Sequence, residues 1–187
     1  LNENSTIIKL NKDNGSLIFK EIVNNGGSDA FEHLAKIGDG FAAVGYVNAE
    51  DRLNTFYTEG EGYITFLNHL GVKQKGISIN NYLSHAYRVK NFNDELIISG
   101  LTEGSNDYAL IKTDSVGAVL WNKAFGGSQS DHCFGMDLNE EGEIFLTGHT
   151  ISGTENWDTY TMKIDNDGNQ IWEVKVGNPR GFNPKFI

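Results

Sequence analysis

The sequence predicts an all-β chain of four-stranded antiparallel units, and three observations carry that expectation. Short apolar runs such as IIKL, FAAVGYV, ELIISG and EIFLTG are closed by Asn, Asp and Gly, as strands are closed by turns. No window shows the 3.6-residue apolar spacing and end caps of a helix, and the two prolines stand near the C-terminus. Finally, the same residue groups return about every 50 positions, the mark of a repeat architecture.

Taken in order, the first element is IIKLNKDNGSLIFKEIVNNGG, with Lys9, Asn11, Gly15 and Phe19. YITFLNHLGVKQKG keeps Asn68 and Gly71 and has Lys75 in the aromatic place. YALIKTDSVGAVLWNKAFGG carries Lys112, Asp114, Gly117 and Trp121, and YTMKIDNDGNQIWEVKVGN carries Lys163, Asp165, Gly168 and Trp172. Each reads as a hairpin: a β-rich run, an Asx-plus-Gly turn, and a second run.

Between them lie SDAFEHLAKIGDGFAAVGYV, LSHAYRVKNFNDELIISGLT and SDHCFGMDLNEEGEIFLTGHT, which close on Gly45, Gly100 and Gly148. These are second hairpins, so a unit has four strands. His132 aligns with His85 and Ala30, and Asp131 with Ser84 and Asp29. The runs IFLTG and LIISG are apolar on both faces and demand neighbouring sheets. The closing glycine marks a place where backbones come close. Four-stranded sheets at this period match the blades of a β-propeller.

The unit resembles the propeller repeats of the quinoprotein-like and SBBP-type families of large secreted or surface bacterial proteins. Their pattern is met by Lys112, Asp114, Gly117, Trp121, Gly126, Gly127, Asp131, Gly142, Gly148 and Thr150. The resemblance is fullest in the third unit and faintest in the second, where the tryptophan and the Gly-Gly pair are missing. It implies that Trp121 and Trp172 dock one blade on the next.

The units span approximately residues 5–53, 54–104, 105–153 and 154–187, the last incomplete, within a single region 1–187. That makes about three and a half blades, where closed rings have typically four to eight. Three organisations are open: a partial ring belonging to a longer chain, a half-ring that dimerises with a second copy, or a small propeller in which GFNPKFI adds a strand. The missing initial Met also points to a processed form or a piece of a longer protein.

Composition narrows the partners. A formal charge of −10 repels nucleic acid and anionic headgroups. No apolar run approaches the roughly 20 residues of a membrane-spanning helix. Cys133 is the single cysteine, which excludes an intrachain disulfide and multi-cysteine metal sites.

The longest departure from the repeat is NAEDRLNTFYTEGEG, residues 48–62, with Asp51, Arg52, Phe56, Tyr57, Glu59 and Glu61. Insertions in repeat proteins often carry binding, and aromatics beside charges suit a sugar or a peptide. Asp165, Asp167 and Asn169 alternate as oxygen donors, which suggests calcium. Yet glycine comes fourth where a calcium loop has it sixth, and a hairpin turn explains the same residues.

The histidines His33, His69, His85, His132 and His149 show no metal-ligand spacing. His132 and Cys133 are strand neighbours and face opposite ways, which disfavours a catalytic dyad. There is neither a G-x-S-x-G elbow nor a G-x-G-x-x-G turn. Asn4 and Asn14 head formal glycosylation triplets. The expectation is therefore a noncatalytic interaction or structural module without a cofactor, secreted or on the cell surface, that binds a protein partner through blade-connecting loops. A glycan- or small-molecule-binding propeller is the alternative, and a quinone-dependent enzyme fragment the third reading.

Overall fold

A computed structural model of the chain describes residues 4–25, 27–49, 60–104, 107–153 and 157–177. Fourteen strands and no helix occur among them. One sheet has two strands, β1 (Ser5–Leu10) and β2 (Leu17–Val23). Three sheets have four antiparallel strands each. The first joins β3 (Ala30–Ile37), β4 (Gly40–Val47), β5 (Glu61–Leu67) and β6 (Lys73–Ser78). The second joins β7 (His85–Phe92), β8 (Glu95–Leu101), β9 (Tyr108–Thr113) and β10 (Val119–Phe125). The third joins β11 (Asp131–Leu138), β12 (Ile144–Thr150), β13 (Asp158–Ile164) and β14 (Gln170–Val176). This is a partial β-propeller.

The sheets are offset from the sequence units by one hairpin. Each takes the second hairpin of one unit and the first of the next, so the half-sheet stands at the N-terminal end and β11–β14 is complete. The pairings β4–β5, β8–β9 and β12–β13, made across the connections 48–60, 102–107 and 151–157, set this phase. Whether GFNPKFI forms a strand lies outside the described residues.

The innermost strands β3, β7 and β11 lie side by side, and apolar residues are buried between successive sheets. Between the first and second sheets lie Val44, Ile64, Leu83, Val89, Ile98 and Ile111. Between the second and third lie Tyr108, Leu110, Cys133, Ile144, Tyr160 and Met162. Sheets that are apolar on both faces thus supply each other's cover.

One junction recurs. The turns before β2, β6, β10 and β14 place Gly15, Gly71, Gly117 and Gly168 at positive φ, which favours glycine. Asn11, Asn68, Asp114 and Asp165 head these turns and accept backbone N–H bonds two residues on. The outer strand of each sheet reaches the turn of the next. Phe19 packs where Gly71 lacks a side chain, and Trp121 does the same at Gly168. Lys75, in the aromatic place of the second copy, bonds the Val116 carbonyl at 3.1 Å. Trp121 is thereby a docking residue. Trp172, the last of the series, is 39% exposed and touches Phe145 of its own sheet.

The closing glycines have a different reason, inside each sheet. At Gly45, Gly100 and Gly148 a Cβ would collide with the carbonyl oxygen of Ala30, His85 or His132 on the inner strand. The inner strands bulge at this point, at Phe31/His33, Ala86/Arg88 and Cys133/Gly135. The close approach therefore lies between paired strands as much as between packed sheets.

Candidate functional site

Strand direction gives the partial ring two unlike sides. The short hairpin turns occupy one. The other collects the ends of β2, β4, β6, β8, β10 and β12 and the starts of the strands that follow, with all the longer loops. The described ends of the insertion 48–62, Asn48 and Ala49 after β4 and Gly60 before β5, stand on this loop side. Asp51, Arg52, Phe56, Tyr57 and Glu59 lie outside the described residues. Glu61 opens β5 and accepts from the Asn48 amide at 3.1 Å, closing the stem of the loop. Gly60, beside it, lies against His85 and Tyr46.

On the loop side, near the inner strands, ring side chains run from sheet to sheet. Tyr46, at the end of β4, meets His85 with centroids 5.0 Å apart, and His85 stacks on Tyr87 at 6.1 Å. Tyr87 reaches Phe134 of the third sheet at 5.6 Å. Phe134 lies 5.9 Å from His132 and 5.2 Å from His149, and Trp157 covers both imidazoles at 4.8 and 4.4 Å. The distances suit offset and edge-on ring contacts.

The inner strands place these rings. Tyr87 and Phe134 are the extra residues of the inner-strand bulges, and each stands two residues after His85 or His132, on the same strand face. Glu32 is the equivalent residue of the first sheet. His149 follows Gly148, and Trp157 enters from the loop before β13. His149 Nε2 and His132 Nδ1 are 3.2 Å apart, one donating to the other.

Burial, and then the neighbouring His132, hold the proton affinity of His149 down at about 4. Burial also lowers His132, against the opposing pull of Asp131, and lowers His85. The imidazoles are therefore neutral at pH 7. His85, Tyr87 and His132 are buried at the base of the array, and Tyr46, Phe134, His149 and Trp157 are its partly exposed, uncharged members.

Asp131 serves the loops around this array. It is fully buried, and its Oδ2 accepts from Gly127 N–H at 2.6 Å and from the Ser152 hydroxyl at 3.2 Å, so one carboxylate ties two loops together. Asp29 does the same in the first sheet, accepting from the backbone N–H of Ser5 and of Asn25. Ser84 takes the place in the second and donates to the Leu101 and Thr102 carbonyls.

The other sequence candidates fall elsewhere. Asp165 and Asn169 are on the turn side. Asp165 Oδ1 accepts from the N–H of Asp167 and Asn169, and its Oδ2 from the Asn169 amide, so the turn's own bonds engage both oxygens. Among the described residues no three His, Cys, Asp or Glu side chains converge to hold a metal ion. Cys133 points into the core between the second and third sheets, and burial pushes its thiol up to about 12. It faces away from His132, as strand alternation predicts.

No family model matches the chain, and no curated protein matches it in sequence. Solved structures match it in shape. One is a protein of unknown function from Bacteroides caccae, 12% identical, TM-score 0.59, over 92% of this chain and 54% of that one. Another is hydrazine synthase of Kuenenia stuttgartiensis, 9% identical, TM-score 0.61, over 91% of this chain and 43% of that one. The chain spans about half the length of the structures it resembles. At such identities the likeness is one of fold, and the fold is that of a propeller-like all-β repeat protein.

Proposed function

We propose that this chain is a noncatalytic recognition segment of a larger propeller in a secreted or cell-surface protein, and that its loop side binds a segment of a protein partner. One observation carries the reading: side chains from consecutive sheets converge as a continuous uncharged ring array on the side that bears the variable loops. Rigid aromatic rings supply contact area at low entropic cost, and binding energy concentrates on such anchors. The repeat's resemblance to SBBP-type propellers supports the location. Burial of Cys133, which holds its thiol protonated, argues against a cysteine nucleophile, because a protonated thiol is a poor one.

A glycan is the second reading, favoured by Trp157 standing edge-on to His149 beside partly exposed Phe134. Ring faces take the C–H face of a sugar. Screening the folded protein against a random-peptide display library and a glycan array separates the two. Trp157→Ala and Phe134→Ala should each weaken the selected ligand about tenfold or more, as anchor residues do, while Trp172→Ala leaves binding unchanged. Selected ligands that bind all three variants equally would sink the loop-side reading.

A further inference from the structure

The two-stranded sheet is incomplete in a specific way. β1 is the counterpart of β9: both run into the same Asx turn, and Lys9 pairs with Phe19 as Lys112 pairs with Trp121. In the second sheet β8 lies along the other edge of β9, and every residue of β9 is buried. In β1 Ser5 alone is buried, and Ile7 is half-buried. Ile8 is 56% exposed where Ile111 is 1%, and Leu10 is 50% exposed where Thr113 is buried completely. Among the described residues β1 pairs with β2 alone.

We propose that the free edge of β1 takes up an inner β-hairpin of the same repeat pattern, supplied by polypeptide outside these 187 residues. The hairpin pairs antiparallel with Ser5–Leu10 and completes a fourth blade. A strand rich in apolar residues with an unpaired edge is a template for strand addition. The position of β8 beside β9 shows which strand of the repeat belongs there. Residues 178–187 are shorter than the two strands and turn of an inner hairpin such as residues 85–101.

A second copy does not serve either, because its inner hairpins β3–β4, β7–β8 and β11–β12 are already paired to a third strand. Two copies set end to end would bring two outer half-sheets and no inner one. The ends of the arc agree with a ring that continues. Among the described residues Trp172 stands exposed with no following turn beneath it, and Gly15 has no neighbour where Gly71 and Gly168 are covered.

The test joins a copy of residues 130–158, the inner hairpin with its connecting loop, directly ahead of Ser5, and reads amide hydrogen exchange. The same hairpin added as a separate peptide is the second format, and a scrambled hairpin the control. Exchange at Ile7–Leu10 should slow about tenfold or more in at least one format, as an edge strand becomes internal. No slowing in either format, with β9 still protected, overturns the proposal. So does protection of β1 equal to that of β9 in the unextended chain, whether independent of concentration or appearing together with a dimer mass by light scattering.

Discussion

The two sides of this partial ring treat the repeat differently. On the turn side Asn11, Asn68, Asp114 and Asp165 do the same job four times, each accepting backbone bonds in a tight turn, and at Gly71, Gly117 and Gly168 the turn also receives the neighbouring sheet. On the loop side equivalent positions diverge: Ala30, His85 and His132 stand two positions before the bulged residue of the inner strands, and Tyr46, Leu101 and His149 follow the closing glycines. Residues that repeat hold the sheets together, and residues that differ make a surface with local character. Recognition belongs with the second kind, because a loop can change without disturbing a junction.

The comparison breaks first at the loop-side residues that do recur, which must act on folding and not on binding. Gly100→Ala forces a methyl onto the His85 carbonyl and should cost about 3 kcal/mol in urea unfolding. A neutral result would remove the steric reason for the closing glycines. Asp131→Ala leaves the Gly127 N–H and the Ser152 hydroxyl without their shared acceptor, and about 2 kcal/mol should be lost. Asp114→Ala removes the acceptor of two turn N–H bonds, from Val116 and Ala118, on the side away from the ring array. It should lower stability by about 1 kcal/mol and leave ligand affinity unchanged. A change in affinity would join the two sides functionally.

The smallest effect is a dependence on pH. The pKa of His149 is about 4 in the folded chain against its ordinary 6.5, so the unfolded chain takes up the proton first as pH falls. Its contribution to stability is complete above pH 6.5 and declines as pH falls from there towards about 4. His132 and His85, also lowered, add in the same direction. Urea midpoints should therefore fall across this window, and His149→Phe should flatten the profile. An unchanged slope would place the titration elsewhere.

The strands were readable from sequence because turn chemistry is local: an Asx residue, a glycine and two apolar runs specify a hairpin without help from the rest of the chain. The phase of the sheets was not, because β4–β5, β8–β9 and β12–β13 pair across the long loops, and a repeat can be cut at either end of a hairpin. Packing by Trp121 was foreseen through the resemblance. The ring array was missed because its members come from different strands and loops of neighbouring sheets, which only the packing of β4, β7, β11 and β12 brings together. A signal existed in Trp157, the one tryptophan outside the repeat frame, and in His149 standing where the other copies have Tyr46 and Leu101. The alignment of His132 with His85 and Ala30 says nothing of its neighbours in the next hairpin.

The single thiol of Cys133 lies completely buried between the second and third sheets. A reagent can reach it only when that pair of sheets separates, so the chain carries a native clock for one junction. Its labelling rate, followed as denaturant is raised, reports how often two neighbouring blades part company while the rest of the arc stays folded.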